Sequence, residues 1–262
     1  MWKQRKRLGL ALSGGMARGR AHVGVILALE EAGIHADFVS GVSAGAMVAA
    51  AYAAGLSMAG MDQLARQFNW LKIATPILPL PSRAGLGRLG LLDFGKIETF
   101  LIRAMGDLTF DELAKPLAIG ATDLVTGERV VITNGRVVHA VRASSSVPGV
   151  VAPARWRGRL LCDGFASNNL PIQILRDMGA DVVVVVNLMP LARRVPSNLF
   201  WAGSTAVSAL VLQAGDPLDR ADIVVEPDLA EIDYVLPRCD DLLARGRAAT
   251  LPIIPLLQTL LI

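Results

Sequence analysis

Short apolar runs rich in β-branched residues recur along this 262-residue chain, and alanine- and leucine-rich stretches of helical period lie between several of them. The runs stand at residues 8–12, 38–39, 117–119, 130–132, 160–161, 182–186 and 223–225, and the helical stretches at 23–32, 46–54 and 97–105. Strands that alternate with helices are typical of βαβ units on a mostly parallel sheet. Runs without polar alternation, such as the valines at 182–186, indicate strands that are buried on both faces.

The composition agrees with a sheet that is covered by helices on both sides. Hydrophobic residues make up 53% of the chain, and the mean hydropathy is +0.47. We therefore expect one α/β domain with three α/β/α layers at residues 8–250, and the motifs described below all lie within 8–187. A basic segment, residues 1–7, precedes this domain, and an apolar tail, residues 251–262, follows it.

Charge and cysteine content exclude several classes of protein. The net charge is only +3 and aromatic residues are 5% of the chain, so the basic and aromatic surface of a nucleic-acid-binding protein is missing. Two cysteines, Cys162 and Cys239, provide neither a disulfide framework nor a four-ligand zinc site, so we expect a protein of the reducing cytoplasm. No apolar run approaches the roughly 20 residues of a spanning helix. Membrane contact is expected to be peripheral, at the inner face, and the sequence does not specify an oligomeric state.

Glycine and proline residues mark the ends of several elements. Four glycines each follow an apolar helical stretch, where a residue without Cβ readily adopts the left-handed conformation that ends a helix: Gly33, Gly55, Gly106 and Gly179. Asn134-Gly135 predicts a tight hairpin, unless a helix begins near His139. Residues 75–92 are rich in Pro, Gly and Leu and have neither period, which indicates a long loop, either an apolar lid or a connector packed on the body.

Residues 41–45 read GVSAG, a G-x-S-x-G sequence that lies between an apolar, strand-like stretch and a helical one. A sharp strand-to-helix turn needs Gly41 and Gly45, because a Cβ at either position would collide with neighbouring backbone. Such a turn leaves the Ser43 hydroxyl exposed at a helix N-terminus, where the helix dipole favours a developing anion. This context predicts that Ser43 is a catalytic nucleophile rather than part of a structural turn.

A second motif, LALSGGMARG at residues 10–19, reads as a strand that runs into a glycine turn and then a helix. Backbone N–H groups in such a turn form an anion site, which suits dinucleotide phosphates, a nucleoside triphosphate or the oxyanion of an acyl-transfer intermediate. No Gly-Lys-Ser/Thr follows, and Met16 stands where the dinucleotide fingerprint requires glycine. Because a candidate nucleophile lies beyond the next strand, we favour an oxyanion hole formed by the N–H groups of Gly14, Gly15 and Met16.

The group that activates Ser43 is the remaining question. An α/β-hydrolase triad runs Ser, then Asp or Glu, then His in chain order, but none of the three histidines, His22, His35 and His139, follows Asp163. A carboxylate that acts directly on the serine is the simpler alternative, and Asp163 lies at the end of a strand-like run. Asp163 also suits an Asx turn, and a triad with His139 in an unusual order stays open.

Taken together and in order, these motifs resemble those of the patatin-like phospholipase family, in its bacterial branch. The likeness runs from about residue 8 to 187, more weakly to about 249, and rests on the glycine turn with Arg18, GVSAG, residues 143–150 (ASSSVPGV), Asp163-Gly164 and residues 168–171 (NNLP). It implies an α/β fold, a Ser43–Asp163 dyad and hydrolysis, without a metal or cofactor, of fatty-acyl esters of phospholipids, lysophospholipids or related lipids. Arg18 then either pairs with a lipid phosphate or stabilises the glycine turn.

The chain departs from the family pattern at Met16, where the family usually has a small residue, and at Phe165, where Gly or Ala usually follows Asp-Gly. Neither change removes a reacting group, and we expect both side chains to shape the acyl site. Three rival hypotheses remain: a soluble carboxylesterase or thioesterase with His139 as its base, a non-catalytic lipid-binding adaptor, and a nucleotide-binding α/β protein.

Overall fold

The computed structural model describes residues 5–68, 73–76, 90–189, 209, 215–229, 232 and 241–262. The strands in these ranges are β1 (Leu8–Leu12), β2 (Phe38–Val42), β3 (Thr75–Pro76), β4 (Leu92–Asp93), β5 (Leu117–Asp123), β6 (Arg129–Ile132), β7 (Ala154–Trp156), β8 (Arg159–Asp163), β9 (Val182–Val186) and β10 (Ile223–Val225). The α-helices are α1 (Arg20–Glu31), α2 (Ala44–Ala53), α3 (Met58–Gln67), α4 (Gly95–Met105), α5 (Val137–Ser144), α6 (Ile172–Asp177), α7 (Leu242–Thr250) and α8 (Ile254–Leu260).

One eight-stranded sheet organises the fold, in the order β10-β9-β1-β2-β5-β8-β7 with β6 paired to β5. The pairs β10–β9, β9–β1, β1–β2 and β2–β5 are parallel. The pairs β5–β6, β5–β8 and β7–β8 are antiparallel. The parallel part agrees with the prediction, while the end of the sheet beyond β5 is antiparallel.

Side chains of the central strands alternate between two apolar clusters, one on each face of the sheet. On β1, Leu10 and Leu12 belong to the larger cluster, which includes residues of α1, α2, α4 and α5. Ala11 belongs to the smaller cluster, together with Leu175 of α6. Helices therefore cover both faces, and the predicted three-layer α/β/α fold is observed.

Helix α2 follows directly on Ser43 and is surrounded by other elements. All of its residues after Ala44 are buried, and it contacts β2, β5, α3 and α5. Its sequence, AGAMVAAAYA, has no polar face, as expected of a helix that is buried on all sides. The start of α2, and with it the position of Ser43, is therefore fixed by packing.

Most predicted element boundaries agree with the structure. All seven predicted runs form strands, and the four glycines predicted to end helices have φ between 71° and 98°. The hairpin at Asn134-Gly135 is wrong, because α5 begins at Val137 and β6 pairs with β5 instead. β7 was not predicted from the sequence. It joins β8 through Arg157-Gly158, where both residues have positive φ.

Two predictions concern segments at the edge of the described ranges. The ends of the predicted loop 75–92 pair with each other as β3 and β4. Residues 77–89 lie outside the described residues, so neither prediction for the loop, an apolar lid or a packed connector, is tested. In the C-terminal segment, Leu257 and Leu261 are buried in the larger cluster. Within the described ranges, no helix has the length and apolar character needed to cross a membrane.

Candidate active site

Ser43 and Asp163 come together because two strands end against the same edge of β5. β6 occupies one edge of β5 from Ile119 to Thr122. The other edge of β5 must therefore be shared by β2 and β8. β2 pairs with β5 up to Gly120, and β8 pairs with it from Asp123 down to Ala121. β2 runs parallel to β5 and β8 antiparallel, so their last residues meet there. The residue after β2 is Ser43, and the last residue of β8 is Asp163.

The turn between β2 and α2 holds Ser43 in a strained conformation, with φ 54° and ψ −121°. A Cβ on Gly41 would lie 2.6 Å from the Gly45 carbonyl oxygen, and a Cβ on Gly45 would lie 2.3 Å from the Leu12 carbonyl oxygen. Both glycines are thus required by close backbone approach, as the sequence predicted. Strained backbone of this kind costs on the order of 1–3 kcal/mol and persists only where the surrounding structure enforces it.

The Ser43 hydroxyl donates a 2.6 Å hydrogen bond to Oδ2 of Asp163. The other carboxylate oxygen, Oδ1, accepts the N–H of Phe165 at 3.0 Å. Asp163 is fully buried, and burial raises its pKa from 3.8 to about 7, although the hydrogen bonds from Phe165 and Ser43 lower it in part. A carboxyl with a pKa near 7 is a far better proton acceptor for a serine than an exposed aspartate.

Ser144, for which no role was predicted from the sequence, also holds the turn. Its Oγ accepts the N–H of Ser43 at 2.8 Å and donates to the Gly120 carbonyl at 2.6 Å. The side chain is fully buried, so neither backbone group has water as an alternative partner. The only sequence signal was its place within ASSSVPGV at residues 143–150.

We expect Ser144→Ala to lower the free energy of unfolding by about 1–3 kcal/mol, because two buried backbone groups, the Ser43 N–H and the Gly120 carbonyl, each lose a hydrogen bond. Activity should fall by about 10-fold or more, because Ser43 loses a contact that fixes its backbone. Thermal unfolding and ester hydrolysis measure the two effects. The matched control is Ser146→Ala, which removes a buried hydroxyl bonded to the Arg142 carbonyl. Equal effects of the two substitutions would contradict this role of Ser144.

The predicted oxyanion turn lies next to Ser43, but its three N–H groups differ. The N–H of Gly14 donates to Asn169 Oδ1 at 2.9 Å. Within the described residues, the N–H groups of Gly15 and Met16 donate no hydrogen bond. Met16 has φ 49° and its side chain is 41% exposed. The turn therefore offers two free N–H donors rather than three.

Of the two roles predicted for Arg18, its hydrogen bonds agree with stabilisation of the glycine turn. Its side chain is buried, and its guanidinium donates to the carbonyl oxygens of Leu188 and Ile232. These bonds attach the first turn after the glycine motif to distant parts of the chain. The guanidinium is directed into the protein, so we do not assign it to a lipid phosphate.

None of the three histidines contacts Ser43. The buried His22 donates from Nε2 to the Ser13 carbonyl at 2.8 Å, and burial lowers its pKa to about 4, so it is neutral and anchors the glycine turn. His35 pairs with Glu30. His139 lies 3.8 Å from Glu98 and packs edge-on against Trp156. The order Ser43, His139, Asp163 therefore does not form a triad.

Two further features bear on what the site could hold. Among the described residues, no group of three or more His, Cys, Asp or Glu side chains is placed to bind a metal ion. A cavity of about 170 Å³ opens near Gly120 and Gly164, but neither Ser43 nor Asp163 lines it. Neither feature adds a ligand to the site around the Ser43 hydroxyl.

A serine at a strand-to-helix turn with a buried carboxylate on its hydroxyl is an arrangement found in serine hydrolases. Residues 10–176 match the family described as Patatin-like phospholipase. The chain belongs to the patatin-like phospholipase family, a family of lipid-ester hydrolases, as the order of its motifs predicted.

Similar proteins are found in bacteria and animals. An uncharacterized NTE family protein of Mycobacterium bovis is 37% identical over 184 residues, which cover 70% of this chain and 49% of that protein. Neuropathy target esterase sws of Drosophila melanogaster is 32% identical over 197 residues, covering 71% of this chain and 13% of that protein. The chain thus spans about half the length of the mycobacterial relative and a small part of the fly protein.

Solved structures agree on the fold. VipD from Legionella pneumophila superimposes with a TM-score of 0.64 at 16% identity, covering 96% of this chain and 67% of VipD. The type III effector protein ExoU gives a TM-score of 0.51 at 16% identity, covering 98% of this chain and 53% of ExoU. At these identities the likeness concerns the fold alone, and it confirms the α/β architecture predicted from the sequence.

Proposed function

We propose that the domain at residues 8–250 is a serine lipid-acyl hydrolase that cleaves fatty-acyl esters of phospholipids, lysophospholipids or related lipids. The observation that carries this proposal is the 2.6 Å hydrogen bond from the Ser43 hydroxyl to the buried carboxylate of Asp163. Family membership supports the choice of lipid esters as substrates. The site uses a dyad, because the histidines contact other groups.

In the proposed mechanism, Asp163 accepts the proton of the Ser43 hydroxyl while the serine oxygen attacks the ester carbonyl. The N–H groups of Gly15 and Met16 stabilise the oxyanion of the tetrahedral intermediate. The intermediate collapses to an acyl-serine, and the alcohol leaves with the proton from Asp163. Water then gives a proton to Asp163 and attacks the acyl-serine, which releases the fatty acid and restores the Ser43 hydroxyl.

The surroundings of the pair favour an apolar acyl group. Met16 exposes its side chain at the glycine turn, and Phe165 lies with its Cβ close to the position that a Gly14 Cβ would take. We assign these two side chains to the wall of the acyl site, as their departure from the family pattern suggested. Peripheral contact with a lipid surface belongs to the same proposal. It is supported by two exposed apolar residues, Leu91 and Val150, which are neighbours because the Leu91 N–H donates to the Val150 carbonyl.

We expect kcat/KM to rise about tenfold per pH unit below about pH 7 and to level off above it, because Asp163 accepts a proton only when it is ionised. The pH at which kcat/KM levels off is the pKa of Asp163, which burial raises to about 7. Release of fatty acid from a soluble short-chain ester, titrated across the pH range, measures the profile. A rate that is flat between about pH 5 and 8 would contradict a carboxylate base with this pKa.

The experiment that tests the proposed function is hydrolysis of defined lipid esters by the purified protein, with His139→Ala as a second sample. We expect release of fatty acid from phospholipid or lysophospholipid vesicles. His139→Ala should retain activity within about twofold, since the His139 ring pairs with Glu98 and Trp156 and not with Ser43 in the part of the chain that the structure describes. A wild-type protein without esterase activity would support the adaptor hypothesis instead. Loss of activity in His139→Ala would support a histidine-based esterase.

A further inference from the structure

Asn169 carries a buried side-chain amide beside the proposed active site, and its two polar atoms differ in hydrogen bonding. Its side chain is 1% exposed. Oδ1 accepts the N–H of Gly14 at 2.9 Å. Nδ2 has no hydrogen-bond partner within the described structure.

The orientation of this amide is fixed by chemistry. A backbone N–H can only donate, so the atom that faces Gly14 must be the carbonyl oxygen of Asn169. The NH2 group is therefore the one left without a partner. A buried donor without an acceptor is unfavourable, because it has lost its hydrogen bonds to water without replacement, and groups of this kind in native structures call for an explanation.

The amide also lies close to the nucleophile. A Cβ placed on Gly14 would be 2.7 Å from Asn169 Oδ1, 3.4 Å from the Ser43 Cβ and 3.8 Å from the Phe165 Cβ. Asn169 and Ser43 thus border the same space beside Gly14, the space that a Cβ on this residue would occupy. Anchoring Gly14 requires only an acceptor, so the anchoring role leaves the NH2 group unexplained.

We propose that Asn169 Nδ2 donates a hydrogen bond to the substrate's carbonyl oxygen as that oxygen becomes the oxyanion. This inference rests on the proposed hydrolase function and adds a side-chain donor to the N–H groups of Gly15 and Met16. Asn169 would then do two things with one amide: Oδ1 holds Gly14 in place, and Nδ2 contacts the reacting oxygen. No proton is transferred, because the amide only donates a hydrogen bond.

Two substitutions separate the donor from the anchor. Asn169→Asp keeps an acceptor for Gly14 but removes the NH2 group and adds a negative charge. Asn169→Leu has a similar shape and adds no charge, but it removes both the donor and the acceptor. Loss of the NH2 group is the one change that both variants share. If the anchor alone mattered, only Asn169→Leu would be impaired, and if the added charge alone mattered, only Asn169→Asp would be.

The measurement is kcat and KM for a soluble acyl ester, taken on the alkaline plateau of each variant so that a raised pKa of Asp163 does not contribute. We expect kcat to fall by about 10²-fold or more in both variants with KM changed by less than about threefold, as for loss of one oxyanion donor. A kcat within about threefold of wild type in either variant, or a loss confined to KM, would overturn the proposal.

Folding and the underlying function are controlled separately. Thermal unfolding identifies a variant that is not folded, and if Asn169→Leu fails in this way, Asn169→Ala takes its place as the uncharged variant without the NH2 group. Wild-type protein that does not hydrolyse any acyl ester would count against the hydrolase function itself. An active wild type with a fully active Asn169→Asp would count against the donor role alone.

Discussion

We expect Ser43→Ala to abolish hydrolysis of acyl esters, with a loss of at least about 10³-fold, because no other nucleophile forms the acyl intermediate. The hydroxyl that is removed is the donor of the 2.6 Å bond to Asp163. Fatty-acid release under saturating substrate measures the effect. Activity within tenfold of wild type would remove Ser43 from the mechanism.

The control for this substitution is Ser40→Ala, on the same strand. Ser40 is fully buried and its hydroxyl donates to the Pro171 carbonyl at 2.9 Å, so the variant loses an equivalent bond away from the reacting groups. Its activity should stay near that of wild type. The stabilities of Ser43→Ala and wild type are best compared at about pH 6, where Asp163 is mostly protonated in both proteins. At higher pH they would differ for another reason: the bond from Ser43 lowers the pKa of Asp163, and its loss lets burial raise that pKa further.

The second large effect is expected for Asp163→Asn, which should lower kcat by about 10³-fold, because the Ser43 hydroxyl loses its proton acceptor. The same variant should be more stable than wild type at about pH 8, by on the order of 4 kcal/mol at most. The reason is that wild-type protein holds a buried carboxylate at this pH, and the neutral amide carries no charge. A variant that is both inactive and stabilised separates loss of chemistry from loss of fold.

The direction of this stability difference follows from the pKa of Asp163, which burial raises from 3.8 to about 7 in the folded protein. Between these two pKa values the folded state holds a proton that the unfolded state has released, so wild-type stability falls as pH rises from about 4 to 7 and then stays level. The advantage of Asp163→Asn should therefore be absent below about pH 4 and complete above about pH 7.

Denaturant unfolding of both proteins at several pH values checks this dependence. The control is Asp123→Asn, another buried aspartate, whose Oδ1 accepts the N–H groups of Val125 and Thr126. That variant should keep its activity, because Asp123 does not contact Ser43. An Asp163→Asn protein with wild-type kcat would contradict the dyad.

The nucleophile turn was predictable because its determinants are local. A strand-like stretch, two glycines around Ser43 and an alanine-rich helix are adjacent in the sequence, and the structure contains each of them. Asp163 was a harder case, since its contact with Ser43 spans 120 residues. The sequence indicated it by the positions of the histidines and by resemblance, but it could not show that β2 and β8 end on the same edge of β5.

The supporting contacts of the site could not be predicted, because they depend on distant segments meeting. Gly14 was expected to be an oxyanion donor, but its N–H is bound by Asn169, 155 residues further along the chain. Arg18 reaches backbone carbonyls of Leu188 and Ile232 in a similar way. Ser144 was visible only as one of three consecutive serines. Each of these residues lies in a recognisable motif, but its hydrogen-bond partner is set by the tertiary fold.

The most direct test of the account is to label the purified protein with a fluorophosphonate and map the adduct by peptide mass spectrometry. We expect one adduct, on Ser43, in wild type and in His139→Ala. We expect no adduct in Ser43→Ala and labelling slowed by about 10²-fold or more in Asp163→Asn, because the nucleophile then has no base. An adduct on another residue, or equal labelling rates in wild type and Asp163→Asn, would contradict the Ser43–Asp163 dyad.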